Sequence, residues 1–178
     1  VIRLGLARRP GRLDADGVAL PLDEVDRSRW DLTLWRGGLD DATFAMRGEG
    51  RFALEAAVSG LHAHAGSAAD TDWPRLVAIY GALEERWPAP SVTVARLVAE
   101  SHAVAPADLP AVEAALARLV EEAPAYAGRD AALALADLEW RTGRRDRAAA
   151  RYAALAQVLD VEPLRRFCLR RAGLGWPA

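Results

Sequence analysis

The side chains best suited to chemistry in this chain are three histidines, one cysteine, an Asp-rich turn and arginines gathered toward one end. His62 and His64 fall two apart in a helical stretch, so their side chains point about 200° away from each other and cannot face one metal ion. His102 is remote from both, and no acids cluster with the three, so no metal site is expected. Asp14-Ala-Asp-Gly17 echoes part of a calcium loop, but the position where an EF-hand places its bidentate Glu is Val25 here. The stretch therefore reads as a turn. Cys168 has Arg165, Arg166, Arg170 and Arg171 close in sequence, which would lower its thiol pKa if it were exposed. Its place in an apolar stripe predicts a buried structural side chain instead. The acidic pairs Asp40-Asp41, Glu84-Glu85 and Glu121-Glu122 are adjacent on helices, hence splayed, and read as solvated faces. With no phosphate-binding glycine loop and no nucleophile elbow, neither enzyme activity nor a cofactor is expected.

The elements that must position these residues are helices. A chain of 178 residues, 52% apolar and 27% charged, has the composition of a folded globular protein. The expectation is a single helical domain over 1–178, with an irregular opening at 1–25, a helical core at 26–123 and further helices at 124–178. No apolar run suits a membrane span, Val1–Pro10 does not read as a leader, and the lone cysteine suggests a reducing, cytoplasmic setting. All 23 basic residues are arginine, which fits GC-rich coding. Residues 1–140 hold 14 of them against 22 acids, whereas residues 141–178 hold 9 against 3, a local charge of +6. That asymmetry points weakly to a basic contact surface.

Asp26-Arg-Ser-Arg-Trp-Asp31 marks the change from irregular chain to helices. Ser28 and Asp31 have capping-box spacing, and Trp35, Leu39, Ala42 and Met46 follow as one apolar stripe to about Arg47. Gly37-Gly38 interrupts it, tolerable where a neighbouring helix comes close or the helix bends. Before it, Pro10-Gly11 ends a short helix, and the Asp-Gly pair predicts a β-hairpin between Leu13 and Leu22. Further helices are predicted over Phe52–Ala65, from Trp73 with Thr71 or Asp72 as cap, after Ser91, after Asp108, over Tyr126–Arg141, over Arg145–Leu159 and from Pro163. The stripe Trp73, Leu76, Val77, Tyr80, Leu83, Trp87 is the strongest, and Trp73 and Trp30 are expected in the core. The sum is an all-α fold of eight or nine helices in antiparallel pairs, solenoid-like, with one short hairpin. Gly143, Ala148 and Tyr152, with Ala136 before them, keep small and aromatic offsets of a tetratricopeptide (TPR) repeat. The Trp and Pro of that consensus are missing, so the repeat is TPR-like and degenerate.

These residues also carry a resemblance. Asp26-Arg-Ser-Arg-Trp-Asp31 resembles the helix-opening signature of the TPR-like C-terminal extension of certain extracytoplasmic-function (ECF) sigma factors. Phe52-Ala-Leu-Glu-Ala-Ala-Val-Ser-Gly-Leu-His-Ala63 is similar to that family's next helix, and Thr71-Asp-Trp73, Ile79-Tyr80 and Pro90-Ser91 follow in its order. The likeness is close from Arg8 to His102 and looser beyond. Departures include Ala53 and Glu55 where the family has Gln, and Val94-Ala-Arg-Leu97 where it often has an Asn-containing stretch.

The resemblance implies a regulatory, protein-binding domain that modulates transcription initiation in a bacterial cytoplasm. Its partners would be the sigma core domains and the RNA polymerase core enzyme. No promoter-reading region stands in these residues, so DNA would be touched only through other domains. Arg27 and Arg29 beside the signature, and Arg144, Arg145 and Arg147 in the basic end, are the candidate contact residues, since guanidinium pairs well with carboxylates at interfaces. Pairing of the first two with Asp26 or Asp31 is the competing reading. The alternative function is a free-standing TPR-like adaptor that binds a peptide or partner helix.

Overall fold

Most helix starts in this chain are written by aspartate and proline, those after Val1, Gly50 and Arg144 excepted. Asp31 and Asp72 each stand just before a helix and accept a hydrogen bond from an amide in its first turn, at Leu34 and Arg75, which satisfies a donor the helix cannot. Pro74, Pro90, Pro110 and Pro163 each lie in a first turn, where a missing N–H is no loss. The computed structural model describes residues 1–48 and 50–175. Over these the chain is all-α, with nine α-helices among the described residues. They are α1 (Ile2–Arg8), α2 (Leu32–Ala45), α3 (Arg51–His64), α4 (Trp73–Arg86), α5 (Pro90–Ala103), α6 (Leu109–Glu122), α7 (Ala125–Arg141), α8 (Arg145–Val158) and α9 (Glu162–Arg171). They form two compact units, Val1–Trp87 and Pro88–Ala178.

In the first unit α2 packs against both α1 and α3, and α3 also packs against α4. Leu4 of α1, Ala42 of α2, and Ala56 and Ala63 of α3 share a core, with Trp35 and Leu39 packed at its edge. The expected reason for Gly37-Gly38 is visible here. A Cβ on Gly38 would lie 2.7 Å from Leu4 Cγ and Cδ2 and 3.1 Å from the Leu4 amide nitrogen, so α1 crosses α2 where there is no side chain. A Cβ on Gly37 would meet the flexible Arg3 side chain, its guanidinium at 3.2 Å and its Cδ at 3.9 Å. Gly38→Ala is therefore expected to cost about 2 kcal/mol through overpacking. Gly37→Ala should be neutral or slightly stabilising, because alanine is the better helix former. Urea titration of both variants checks the contrast.

In the second unit α7 is central, packing against α5, α6 and α8, while α9 packs on α8. Val94, Leu97, Val112, Leu116, Ala131, Leu135 and Leu138 make its core. Beside them, Tyr152 lies edge-on to Trp140 at 6.4 Å and to Phe167 at 5.5 Å between ring centroids. Such edge-to-face pairs hold α7, α8 and α9 together.

Three expectations need correction. The hairpin contracts to a turn: Leu13 and Ala19 form an isolated antiparallel bridge, and no strand occurs among the described residues. The turn itself is well made. The Asp14 carboxylate accepts from the amides of Asp16 and Val18, and Gly17 has φ +74°, a conformation glycine adopts without strain. Secondly, Ser28 does not cap α2. It lies in a 3-10 turn, Arg27–Arg29, capped by Asp26, whose carboxylate takes both the Ser28 amide and hydroxyl. The Asp31 amide that a capping box would need donates to Ala7 O of α1 at 3.0 Å, and Asp31 itself caps α2, one turn later than expected. Thirdly, Ser91 is inside α5, because Pro90 takes the first helical position, where its fixed φ is already helical.

Candidate interaction surfaces

Residues 26–31 form a joint rather than a reactive centre. Trp30 is buried and its indole lies against Gly11, where a Cβ would approach the ring within 3.1 Å and the Asp26 carbonyl oxygen within 2.4 Å. Arg27 reaches the end of α3 and donates to the carbonyls of Ala65 at 2.7 Å and His62 at 3.3 Å. Its guanidinium also sits 4.8 Å from the centroid of the Trp30 ring. A cation on the last carbonyls of a helix opposes the negative end of its dipole. Arg27 thus bonds to backbone rather than to Asp26 or Asp31. Arg29 donates to Leu13 O at 3.2 Å and so ties down the N-terminal turn. Trp35 adds a hydrogen bond from Nε1 to Ala63 O at 2.9 Å. One short sequence therefore fastens the end of α1, the start of α2 and the end of α3.

The Thr71-Asp-Trp73 stretch does the same for α4. Thr71 is buried and donates to Ser67 O, Asp72 caps the helix, and Trp73 is buried with Nε1 donating to Ala68 O at 3.0 Å. Trp73 lies edge-on to His62, with centroids 5.7 Å apart. Burial, followed by the charges of Arg8 and Arg27, pushes the His62 pKa down to about 4, so this imidazole is neutral at pH 7. His64 is exposed, on the other side of the helix.

The basic segment is largely paired inside the second unit. Arg144 contacts Glu113 of α6 at 2.6 Å, and Arg147 lies 3.5 Å from Glu113 and 3.4 Å from Glu139. Glu139, in α7, is fully buried and accepts two hydrogen bonds from Arg151, at 3.1 and 3.2 Å. Arg145 is the exception among the named arginines: its guanidinium lies 3.8 Å from the Trp140 centroid, and Arg171 lies 4.2 Å from the same ring. Sequence reasoning missed Glu113 and Glu139. The signal for Glu139 was present, since it follows Ala132, Leu135 and Ala136 at seven, four and three positions and so falls on their buried stripe.

Cys168 is fully buried, and burial pushes its thiol pKa up to about 12 despite the neighbouring arginines. It should therefore be inert. The native chain is expected to react with a thiol reagent such as dithionitrobenzoate only at the rate at which it unfolds. Rapid stoichiometric labelling without denaturant would show that the thiol is accessible.

No protein-family model matches this chain. No solved structure matches it. It is similar to an uncharacterised protein of Rhizobium meliloti (strain 1021), with 36% identity over 97 residues. That stretch is 53% of this chain and 23% of the relative, so the chain spans about a quarter of the length of the protein it matches.

Proposed function

We propose that the chain is a helical protein-interaction domain of the kind carried at the C-terminus of ECF sigma factors, modulating transcription initiation from the bacterial cytoplasm. The observation that carries this reading is the motif at 26–31. The residues on which the resemblance rests are also those that fasten three helices together, so the motif has a physical reason to persist as a block. The Rhizobium relative extends well beyond the matched stretch, in keeping with a domain borne on a larger protein.

The helices of the second unit support a TPR-like pairing. Ala136, Ala148 and Tyr152, the small and aromatic positions of the degenerate repeat, are all buried, and Gly143 turns the chain between α7 and α8 with φ +82°. Partners in this reading are the sigma core domains and RNA polymerase core enzyme. Contacts are made by the exposed basic side chains, with Arg29 and Arg145 foremost, because Arg144 and Arg147 already hold Glu113.

The test is run-off transcription by a sigma factor that carries this segment. Deleting the segment is expected to lower promoter-dependent transcript yield. Arg29→Ala with Arg145→Ala should lower it, with only the small drop in melting temperature expected from losing the Leu13 carbonyl contact and the Trp140 stack. Transcription untouched by both the deletion and the substitutions would refute the reading.

A further inference from the structure

α2 and α3 run as neighbours, and each turns a regularly spaced set of residues to a shared groove. On α2 these are Leu39, Ala42, Thr43 and Met46; on α3 they are Ala57, Gly60, Leu61 and His64. Both sets have the i, i+3, i+4, i+7 spacing of a single helix face. The helices are close at the floor, where a Cβ on Gly60 would touch Ala42 Cβ at 3.4 Å. Small residues there leave a cavity of about 230 Å³ above them, walled by Leu39 and Leu61, enough for one large apolar side chain. Among the described residues no acidic side chain lines it.

The one group of fixed charge on the groove among the described residues is Arg75, from α4. Its guanidinium is exposed and makes no hydrogen bond or ion pair with the described residues. This sets it apart from Arg27, Arg144, Arg147 and Arg151, which all have partners within the chain. His64 at the same rim is likewise exposed and has no partner among the described residues. An apolar slot with an unpaired guanidinium at its edge is complementary to a side chain of each kind on one ligand.

We propose that this groove docks an acidic amphipathic helical segment of a partner protein. The segment seats a Leu or Phe between Leu39 and Leu61 and places a carboxylate one turn away on Arg75, a helix-in-groove mode of recognition. The proposal stands independently of which larger protein carries the domain.

The probe is a terminally blocked twelve-residue amphipathic peptide with one Leu and a Glu one turn away. It is compared with the same peptide carrying Gln for Glu, or Ala for Leu, by fluorescence anisotropy against the whole chain. Both replacements are expected to weaken binding, the Gln form by about fivefold, the scale of a surface Arg–carboxylate pair. Arg75→Gln should weaken the Glu peptide equally and leave the Gln peptide unaffected. Met46→Ala, which trims an exposed wall of the slot, should weaken both. Circular dichroism melting of the two variants confirms that the fold is kept, as expected for exposed positions. Absence of binding by all peptides, or binding indifferent to Arg75→Gln, overturns the proposal. So does concentration-dependent self-association that Met46→Ala abolishes, since the occupant would then be a second copy of this chain.

Discussion

Trp73→Ala is expected to remove about 3–5 kcal/mol of stability from the first unit, the range for deleting a large core aromatic. Trp73 is 8% exposed, its indole N–H is bonded to Ala68 O, and its edge meets His62. Truncation leaves a void at the start of α4 and takes from the Ala68 carbonyl the shorter of its two hydrogen bonds, leaving it the Thr71 amide at 3.3 Å, which adds modestly to the transfer cost. A folded unit the size of Val1–Trp87 commonly has a total stability of only about 5–10 kcal/mol, so the variant should be largely unfolded in mild urea. Trp73→Phe keeps most of the buried area and should lose far less. Far-UV circular dichroism against urea measures both. A loss below about 1 kcal/mol for the alanine variant, well under the usual core range, would place the ring at the surface.

The second large effect belongs to Glu139. Its carboxylate is wholly buried and rests on Arg151 and Arg147. Arg151→Ala leaves that charge inside the unit with one longer contact. Removing one partner of a buried pair typically costs about 3–5 kcal/mol. Arg151 is itself 29% exposed in its side chain, so the lower end, about 3 kcal/mol, is expected here. Replacing both members by apolar groups, Glu139→Leu with Arg151→Met, removes the desolvation cost together with the attraction. That double variant should fall within about 1 kcal/mol of the parent or exceed it. Urea unfolding of the two singles and the double measures the coupling directly. If Arg151→Ala and the double variant lost the same amount, the effect would come from the packing of the arginine stem and not from a stranded charge.

What the sequence could show depended on how local each cause was. The stripes of α4 and α7 and the proline-marked starts are written within a few residues, and those elements lie where the periodicity puts them. The role of Ser28 was hidden because the competing acceptor for the Asp31 amide is Ala7 O, more than twenty positions away. Spacing alone could not reveal it. The charge asymmetry misled for a similar reason. A window drawn at residue 141 counts Arg144, Arg147 and Arg151 but not Glu113 and Glu139, which folding sets against them. The groove on α2 and α3 was illegible because what opens it is the absence of side-chain volume at Ala42 and Gly60, which no stripe of large apolar residues advertises.

The buried carboxylate of α7 has a consequence for how such a domain can be inherited. A fragment that kept α6 and α7 but stopped short of α8 would carry Glu139 with neither Arg147 nor Arg151 to answer it. Shortening or exchanging this half one helix at a time would pass through that frustrated intermediate. In recombination, α7 and α8 are effectively a single cassette, to be gained, duplicated or lost together, whereas α9 contributes no partner to Glu139 and is tied to that cassette by its packing on Tyr152 and Trp140.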